Sequence, residues 1–299
     1  MPGRERALVL GGGGSAGNAW EIGVIAGLFD AGLDVTKADL IIGTSAGSTA
    51  AAQITSPTQP PELLASILAA TLPPPRTGPP GTGPGRVPGP VADHMERTGA
   101  IIGAAENPAD MRRRMGAAAL ELDAASDGSA QTRWRAAVAG RLPSQNWPEQ
   151  PVRIVVVDAH TGEPVVLDRD SGVDLADAVA ASCANGFGVP PLSIGDRRYI
   201  DGGYRSAENA DLAAGYERVL VLSPFGGRSR APLEWGIHLA AHIDGLRAGG
   251  SRVETIFPDS NSRDAFGFNV MDPSTRPPAA RAGYDQGKAL AEPLTEFWR

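Results

Sequence analysis

Short apolar runs alternate with helically spaced apolar residues near the start of the chain. Residues 7–10 are all apolar, which is typical of a buried strand. After a run of glycines, apolar side chains recur at a helical period up to Gly32, at Trp20, Val24, Ile25, Leu28 and Phe29. Residues 40–42 predict a second strand, and the small residues 46–54 predict a second helix. This order of elements predicts a parallel sheet.

The composition changes at residue 73. Proline and glycine dominate residues 73–90, so we expect an exposed linker without a helix interior or a packed strand. Residues 91–142 are alanine-rich and helical in pattern, with breaks at Pro108 and near Gly128, and we interpret them as a helical cap. We therefore expect one domain over residues 1–299, with the linker and the cap inserted into it.

Strand and helix patterns return after the predicted cap. We expect strands, the first two paired as a hairpin, at residues 152–157, 165–167, 198–200 and 219–222. Helical patterns cover residues 176–184, 233–246 and 279–297. The chain as a whole therefore predicts an α/β fold with a mainly parallel central sheet.

Composition and charge narrow the classes of partner. The single cysteine, Cys183, excludes an intramolecular disulfide and a thiol cluster for zinc, so we expect a reducing compartment, by default the cytoplasm. No apolar stretch has the length of a signal peptide or of a membrane span of about 18 residues. The net charge of −7 argues against a nucleic-acid partner. We interpret the one tight basic run, residues 112–114, as an exposed helix face that makes at most transient contact with a membrane surface.

Residues 43–47 read Gly-Thr-Ser-Ala-Gly and match the Gly-x-Ser-x-Gly elbow of serine hydrolases. An apolar strand pattern precedes this elbow and a helix pattern follows it, as the motif requires. Glycine is needed at Gly43 and Gly47 because a Cβ at either position would collide with neighbouring backbone. The competing interpretation is a turn of small residues in which Ser45 caps the helix.

Residues 11–14 are four consecutive glycines, the glycine loop, directly after the first predicted strand. Their bare backbone amides can converge on an anion beside the elbow, as an oxyanion hole requires. Gly12, Gly14 and Gly17 also satisfy the dinucleotide fingerprint, but neither Asp34 nor Asp39 is a convincing ribose-binding acid. A simple tight turn is the third interpretation of the run.

An activated serine needs a base. His94 borders the predicted linker and His160 lies in a predicted turn, so neither is placed at a strand end. His238 and His242 are four residues apart on a predicted helix, and the order Ser45, Asp201, histidine is that of an α/β-hydrolase triad. Asp201 itself ends a predicted strand, and a buried carboxylate at this position could accept the serine proton directly.

These motifs in this order resemble the patatin-like phospholipase family. The resemblance rests on the glycine loop, the elbow and the Asp201-Gly202-Gly203 motif. It extends to residues 181–184, to the Pro190-Pro191 pair and to the segments 268–272 and 282–284, whereas residues 57–148 match nothing in the family.

The resemblance implies a three-layer α/β/α fold and hydrolysis of lipid or other acyl esters by a Ser-Asp dyad, without a metal or an organic cofactor. Ser45 would be the nucleophile and Asp201 its base. The amides that hold the oxyanion would be those of Gly12, Gly13 and Gly14. The supporting glycines would be Gly11, Gly17, Gly43, Gly47, Gly202 and Gly203. Two residues depart from the family pattern: Ala16 stands where a basic residue is usual, and Asn185 where proline is common.

Other functions stay open at this stage. One is an α/β-hydrolase-type esterase that uses Ser45, Asp201 and a histidine. The others are a nucleotide-binding protein and a non-catalytic lipid-binding protein that keeps the fold. We interpret Cys183 as a packing residue rather than a nucleophile, because no histidine is close to it in sequence.

Overall fold

The computed structural model describes residues 5–70, 90–124, 127–186 and 188–299. The strands are β1 (Arg6–Leu10), β2 (Leu40–Gly43), β3 (Val152–Asp158), β4 (Pro164–Leu167), β5 (Leu192–Ile194), β6 (Arg197–Asp201), β7 (Arg218–Leu222) and β8 (Arg252–Ile256). The α-helices are α1 (Gly14–Asp30), α2 (Ala46–Ile54), α3 (Pro60–Ala69), α4 (Pro90–Ala104), α5 (Pro108–Ala124), α6 (Ser129–Ala139), α7 (Leu175–Ser182), α8 (Leu239–Ala248), α9 (Ser260–Phe266) and α10 (Arg276–Trp298). The predicted linker, residues 73–90, lies outside the described residues except at its last position, where α4 begins.

All eight strands form one sheet in the order β5, β6, β3, β2, β1, β7, β8, and β4 pairs with β3. The five strands from β3 to β8 in this order are parallel, and β4, β5 and β6 add antiparallel pairs on one side. Leu10 lies opposite Gly43 where β1 and β2 end, so the glycine loop and the elbow leave the sheet side by side.

Side chains of the central strands alternate between two faces of the sheet. Leu8, Leu10 and Ile41 pack in the core that includes α1, α2 and α10, whereas Val9 and Ile42 pack with α8 on the opposite face. A further cluster joins α5 to β3 and β6. The three-layer α/β/α fold with a mainly parallel sheet is confirmed.

Helices α1 and α10 pack in close contact because glycines face each other's backbone. A Cβ added at Gly23 would lie 2.1 Å from the carbonyl oxygen of Ala280, and one added at Gly283 would lie 2.4 Å from that of Trp20. The same close approach recurs one turn along both helices, at Gly27 and Gly287. Almost all of α1 is buried, which explains why most of its residues are apolar or small on every side, with Asn18 and Glu21 as buried polar exceptions.

Helices α4, α5 and α6 occupy the stretch that the sequence predicts to be a helical cap, with breaks at the expected places. Helix α5 also packs directly on the sheet: Met111 and Met115 contact the cluster that contains Val157 and Ile200. The assignment of these helices as an inserted cap stays a prediction. None of the helices in the described ranges combines the length and the apolar character that crossing a bilayer requires.

The predicted helix over residues 233–246 is wrong in its first half. Leu233–Trp235 forms a single 3-10 turn, Gly236 takes a φ of +65°, and His238 is the residue before α8 begins. The left-handed glycine ends the turn, and the chain has to reorient before the next helix can start. The sequence patterns also gave no prediction for β5, β8, α3 and α9.

Candidate active site

Ser45 lies between β2 and α2 in a strained backbone conformation, with φ +52° and ψ −116°. A positive φ is costly for a residue with a Cβ and persists only where the surroundings enforce it. A Cβ at Gly43 would lie 2.6 Å from the Cα of Ser48, and one at Gly47 would lie 2.0 Å from the carbonyl oxygen of Leu10. Both glycines are therefore required by close backbone contacts, as the motif predicts.

The hydroxyl of Ser45 donates a hydrogen bond to Oδ2 of Asp201 at 2.7 Å. Although Ser45 occupies the position of a helix cap, its side chain makes no capping hydrogen bond with α2. The order of strands in the sheet explains why Ser45 and Asp201 are close. Strand β3 pairs with both β2, which precedes Ser45, and β6, whose last residue is Asp201. The structure thus brings together the two residues that the sequence predicts as a dyad.

The surroundings of Asp201 change the pKa of its carboxyl group. Burial raises the pKa of this carboxyl to about 6, although hydrogen bonds from the Gly203 amide and from Ser45 lower it. The Gly203 N–H donates to the second carboxylate oxygen, Oδ1, at 2.8 Å, which leaves Oδ2 for Ser45. At neutral pH the carboxylate is ionised yet more basic than an exposed aspartate, as a general base should be.

Two of the four amides in the glycine loop donate hydrogen bonds, and the other two donate to no described group. The N–H of Gly11 donates to Leu222 at 3.0 Å, and the N–H of Gly12 donates to Ala207 at 2.8 Å. The N–H groups of Gly13 and Gly14 donate to no group in the residues that the structure describes. Gly12 therefore does not offer an oxyanion donor, contrary to the sequence-based expectation, because its amide anchors the loop to a neighbouring segment.

Gly13 and Gly14 are in positions where a side chain would not fit. A Cβ at Gly13 would lie 2.5 Å from Cβ of Pro224, and Gly14 has a φ of +64°. The loop also lies beside Ser45, since a Cβ at Gly12 would be 3.7 Å from the Cβ of Ser45. Two amides without partners among the described residues, next to the Ser45 hydroxyl, have the composition of an oxyanion hole.

Two residues that the sequence did not single out hold the elbow in place. The Ser182 hydroxyl accepts a hydrogen bond from the Ser45 amide at 2.9 Å and donates to the Val155 carbonyl at 2.7 Å. Asn209 is fully buried with a φ of +55°, and its amide donates to the Thr44 hydroxyl at 3.0 Å. The contacts of Ser182 with Ser45 and of Asn209 with Thr44 join residues more than 130 positions apart, so the sequence alone does not indicate them.

The histidines do not complete a triad. Within the described residues, no histidine lies within hydrogen-bond distance of Ser45 Oγ or of the Asp201 carboxylate. His242 lies 3.4 Å from Asp211 instead, and burial lowers its pKa. His238 and His94 line the same cavity as Ser45.

Cys183 lies against the elbow but is unsuited to act as a nucleophile. Its Sγ donates to the Ser45 carbonyl at 3.1 Å. Burial and the nearby Asp201 carboxylate raise the pKa of the thiol to about 11, so it stays protonated at neutral pH.

The acids that a bound dinucleotide would need are engaged in the scaffold. Asp34 accepts hydrogen bonds from the amide and the hydroxyl of Thr36, and Asp39 accepts from the Arg6 amide. The described part of the chain holds no group of three or more His, Cys, Asp or Glu side chains arranged to bind a metal ion.

Two further carboxyl groups lie behind the glycine loop. Glu21 on α1 is fully buried, and both of its oxygens lack a hydrogen-bond partner among the described residues. Burial raises its pKa well above the ordinary range, although the nearby Gly11 amide lowers it, and the charge of Glu208 adds a smaller increase. Glu208 accepts a hydrogen bond from Ser223 at 2.6 Å. The sequence gave no indication of this pair.

A cavity of about 420 Å³ opens over the dyad and the glycine loop. Its apolar lining includes Ile102, Met111 and Met115 from the predicted cap helices α4 and α5. Ala16 points into the core and is fully buried, whereas the backbone carbonyl of Asn185 accepts a hydrogen bond from the Tyr204 hydroxyl at the cavity wall. A substrate in this cavity would contact both Ser45 and apolar side chains.

Comparison with solved structures finds low-identity likenesses. The chain is similar to VipD from Legionella pneumophila, with 15% identity, coverage of 97% of this chain and 67% of that one, and a TM-score of 0.43. It is similar to the type III effector protein ExoU with 16% identity, coverage of 95% of this chain and 54% of that one, and a TM-score of 0.35. Neither likeness bears on activity. No curated protein matches the chain.

Comparison with family models gives a direct match. The model described as "Patatin-like phospholipase" matches residues 8–214. This range is more than two thirds of the chain and contains the glycine loop, Ser45 and Asp201. The chain therefore belongs to the patatin-like phospholipase family.

Proposed function

We propose that this chain is a serine acyl-ester hydrolase in which Ser45 is the nucleophile and Asp201 is its base. The observation that carries the proposal is the 2.7 Å hydrogen bond from the Ser45 hydroxyl to Asp201, made by a serine on a strained elbow. Membership in a family of lipid acyl hydrolases supports ester hydrolysis in general.

The proposed reaction has two halves. Asp201 takes the proton of Ser45, Oγ attacks the acyl carbonyl, and the N–H groups of Gly13 and Gly14 stabilise the oxyanion. The alcohol leaves with the proton that Asp201 returns, and the acyl group stays on Ser45. Asp201 then takes a proton from water, and the hydroxide attacks the carbonyl of the acyl-enzyme. The bond to Ser45 Oγ breaks, the carboxylic acid is released, and Asp201 returns the proton to Ser45. No metal or cofactor is required.

The substrate class follows from the lining of the cavity and from the family. Apolar side chains of α4 and α5 face the space above Ser45, so an acyl chain can be buried there. We therefore propose a lipid or a short acyl ester as substrate. The cytoplasmic location and the inserted cap stay predictions.

Steady-state hydrolysis of 4-nitrophenyl butyrate tests the proposal. Ser45→Ala should abolish turnover, whereas Ser66→Ala, an exposed serine on α3, should keep kcat/KM within about threefold of the parent. His238→Ala should also stay within about threefold, because Ser45 is paired with Asp201. A loss in His238→Ala as large as in Ser45→Ala would favour a triad. A folded parent without turnover would favour a lipid-binding protein.

A further inference from the structure

Two arginines line the cavity without an acidic partner. Arg276 at the start of α10 and Arg141 after α6 both contribute to the cavity wall. Neither forms an ion pair with any residue that the structure describes. Only Nη1 of Arg276 makes hydrogen bonds to described groups, so Nε and Nη2 keep unused donors. Arg141 lies over the ring of Trp134, 5.4 Å from its centroid.

Buried polar groups hold the guanidinium of Arg276 in place and reach the backbone of Arg141. Nη1 of Arg276 donates to the carbonyl of Ser15 at 3.2 Å and to Oδ1 of Asn18 at 3.1 Å. The amide of Asn18 donates to Gln53 at 3.0 Å, and Gln53 donates to the backbone carbonyl of Arg141 at 3.1 Å. Asn18 and Gln53 are only 4% and 7% exposed. One continuous network thus positions Arg276 next to the glycine loop.

The positive charges of these two arginines favour the binding of an anion. Burial and, after it, the charge of Arg141 together lower the pKa of Arg276 to about 10, so the guanidinium remains protonated at neutral pH. Neither arginine is paired with a carboxylate of the described residues. Their like charges therefore repel each other, and a bound anion reduces that repulsion. Planar guanidinium forks match the oxygens of phosphate, each with two parallel hydrogen bonds.

The whole cavity is more basic than the protein around it. The chain carries a net charge of −7, but guanidinium groups outnumber carboxyl groups in the cavity lining, which contains Arg141, Arg228, Arg230, Arg276, Asp201 and Glu208. Arg228 and Arg230 are held by hydrogen bonds to neighbouring groups, for example from Arg230 to Thr98 at 2.6 Å. A concave basic site in an acidic protein attracts anionic ligands.

We propose that Arg141 and Arg276 form an anion subsite that binds a phosphate group on the substrate while its acyl ester lies at Ser45. The placement of the acyl ester at Ser45 rests on the proposed function. Arg141 lies within the residues that the family model matches, whereas Arg276 and its helix lie beyond them.

Ligand binding to the Ser45→Ala chain tests the subsite without turnover. The ligands are dihexanoyl phosphatidic acid, dihexanoyl glycerol with the same acyl chains, and inorganic phosphate, measured by calorimetry. We expect the phosphatidic acid to bind at least about tenfold more tightly than the neutral lipid. Adding Arg276→Gln or Arg141→Gln should remove that preference, whereas Arg276→Lys should keep part of it. Arg281→Gln, an exposed arginine on the same helix, is the matched control and should keep all of it.

Each other outcome has a defined meaning. Equal binding of the two lipids, or a preference that survives both Arg276→Gln and Arg141→Gln, overturns the subsite. Binding of inorganic phosphate that requires Arg276, with no gain from the attached lipid, overturns the assignment to a substrate group. Covalent labelling of Ser45 by a fluorophosphonate is measured separately on the parent, so a failed dyad and a failed subsite give different results.

Discussion

Two regions of this protein depend on glycine for close backbone contacts, and only one of them has the features of an active site. At the α1–α10 interface, glycines such as Gly23 and Gly283 let two helices touch, with added Cβ atoms 2.1 and 2.4 Å from facing carbonyl oxygens. At the elbow, Gly43 and Gly47 allow contacts just as close. The density of glycine therefore does not separate a packing interface from a site.

The two regions differ in backbone strain and in unpaired hydrogen-bond donors. The elbow places a non-glycine residue, Ser45, at φ +52°, and the neighbouring loop leaves the amides of Gly13 and Gly14 without partners among the described residues. The helix interface involves regular helices and no such strained residue. Backbone strain and unpaired hydrogen-bond donors beside an ionisable group are typical of a functional site, because a purely structural contact would gain stability by removing them.

The largest expected effect separates activity from stability at the site. Asp201→Asn should lower kcat/KM for 4-nitrophenyl butyrate by about 10³-fold, because the amide cannot accept the serine proton. The midpoint of thermal unfolding should change little. Asp196→Asn, in the exposed turn that precedes β6, is the matched control and should leave kcat/KM unchanged. Near-normal turnover in Asp201→Asn would exclude the dyad.

The reverse effect is expected at the helix interface. Gly283→Ala should lower the free energy of unfolding by about 3 kcal/mol, because the added Cβ collides with the Trp20 backbone. Gly245→Ala on α8, where a Cβ meets open space, should be neutral or stabilising in urea unfolding. Turnover per folded molecule should be preserved in both variants. A selective loss of kcat in Gly283→Ala would couple the interface to the site.

The pH dependence of kcat/KM is an effect of intermediate size, and it tests the site separately from the helix interface. The dyad works with Asp201 ionised, and the pKa of this carboxyl is about 6. Activity should therefore be level above about pH 7 and fall about tenfold per unit well below pH 6, as the carboxylate takes up a proton. Thermal unfolding over the same range serves as the control for loss of fold. A level profile down to pH 4.5 would contradict the assigned base.

The smallest effect concerns the buried carboxyl behind the loop. The pKa of Glu21 is raised in the folded state, so its contribution to stability is complete at low pH and is lost as pH rises toward that pKa. Glu21→Gln does not titrate, and it should match the parent at pH 4 but gain about 1 kcal/mol, or roughly 3 °C in Tm, at pH 8. Exposed Glu292→Gln is the control. An equal shift at both pH values would show that charge is not the cause.

The sequence predicted those parts of the fold that carry strong local patterns. The run 7–10, the elbow and the apolar spacing of α1 appear in the structure within one or two residues of their predicted bounds. Strand β8 was missed because its polar residues, such as Arg252 and Glu254, interrupt the apolar pattern at the edge of the sheet. The false helix start at residue 233 came from an apolar spacing that Gly236 interrupts.

The candidate site shows the same division. Ser45 and Asp201 stood out because each belongs to a short motif. Asn209 and Arg276 did not, and the contact of Ser182 with the Ser45 amide was not predicted although residues 181–184 resemble the family, since these roles come from contacts that only the folded chain creates. The engaged amide of Gly12 is a further example, because its acceptor, Ala207, belongs to a distant loop. Long-range contacts of this kind require the structure.

Intact-mass measurement after treatment with a fluorophosphonate tests the central claim most directly, since the reagent labels an activated serine whatever the natural substrate. The proposed dyad predicts one stoichiometric adduct on the parent, none on Ser45→Ala, and much slower formation on Asp201→Asn. A folded parent without an adduct, or an adduct that persists in Ser45→Ala, would contradict the assignment of Ser45 as the nucleophile.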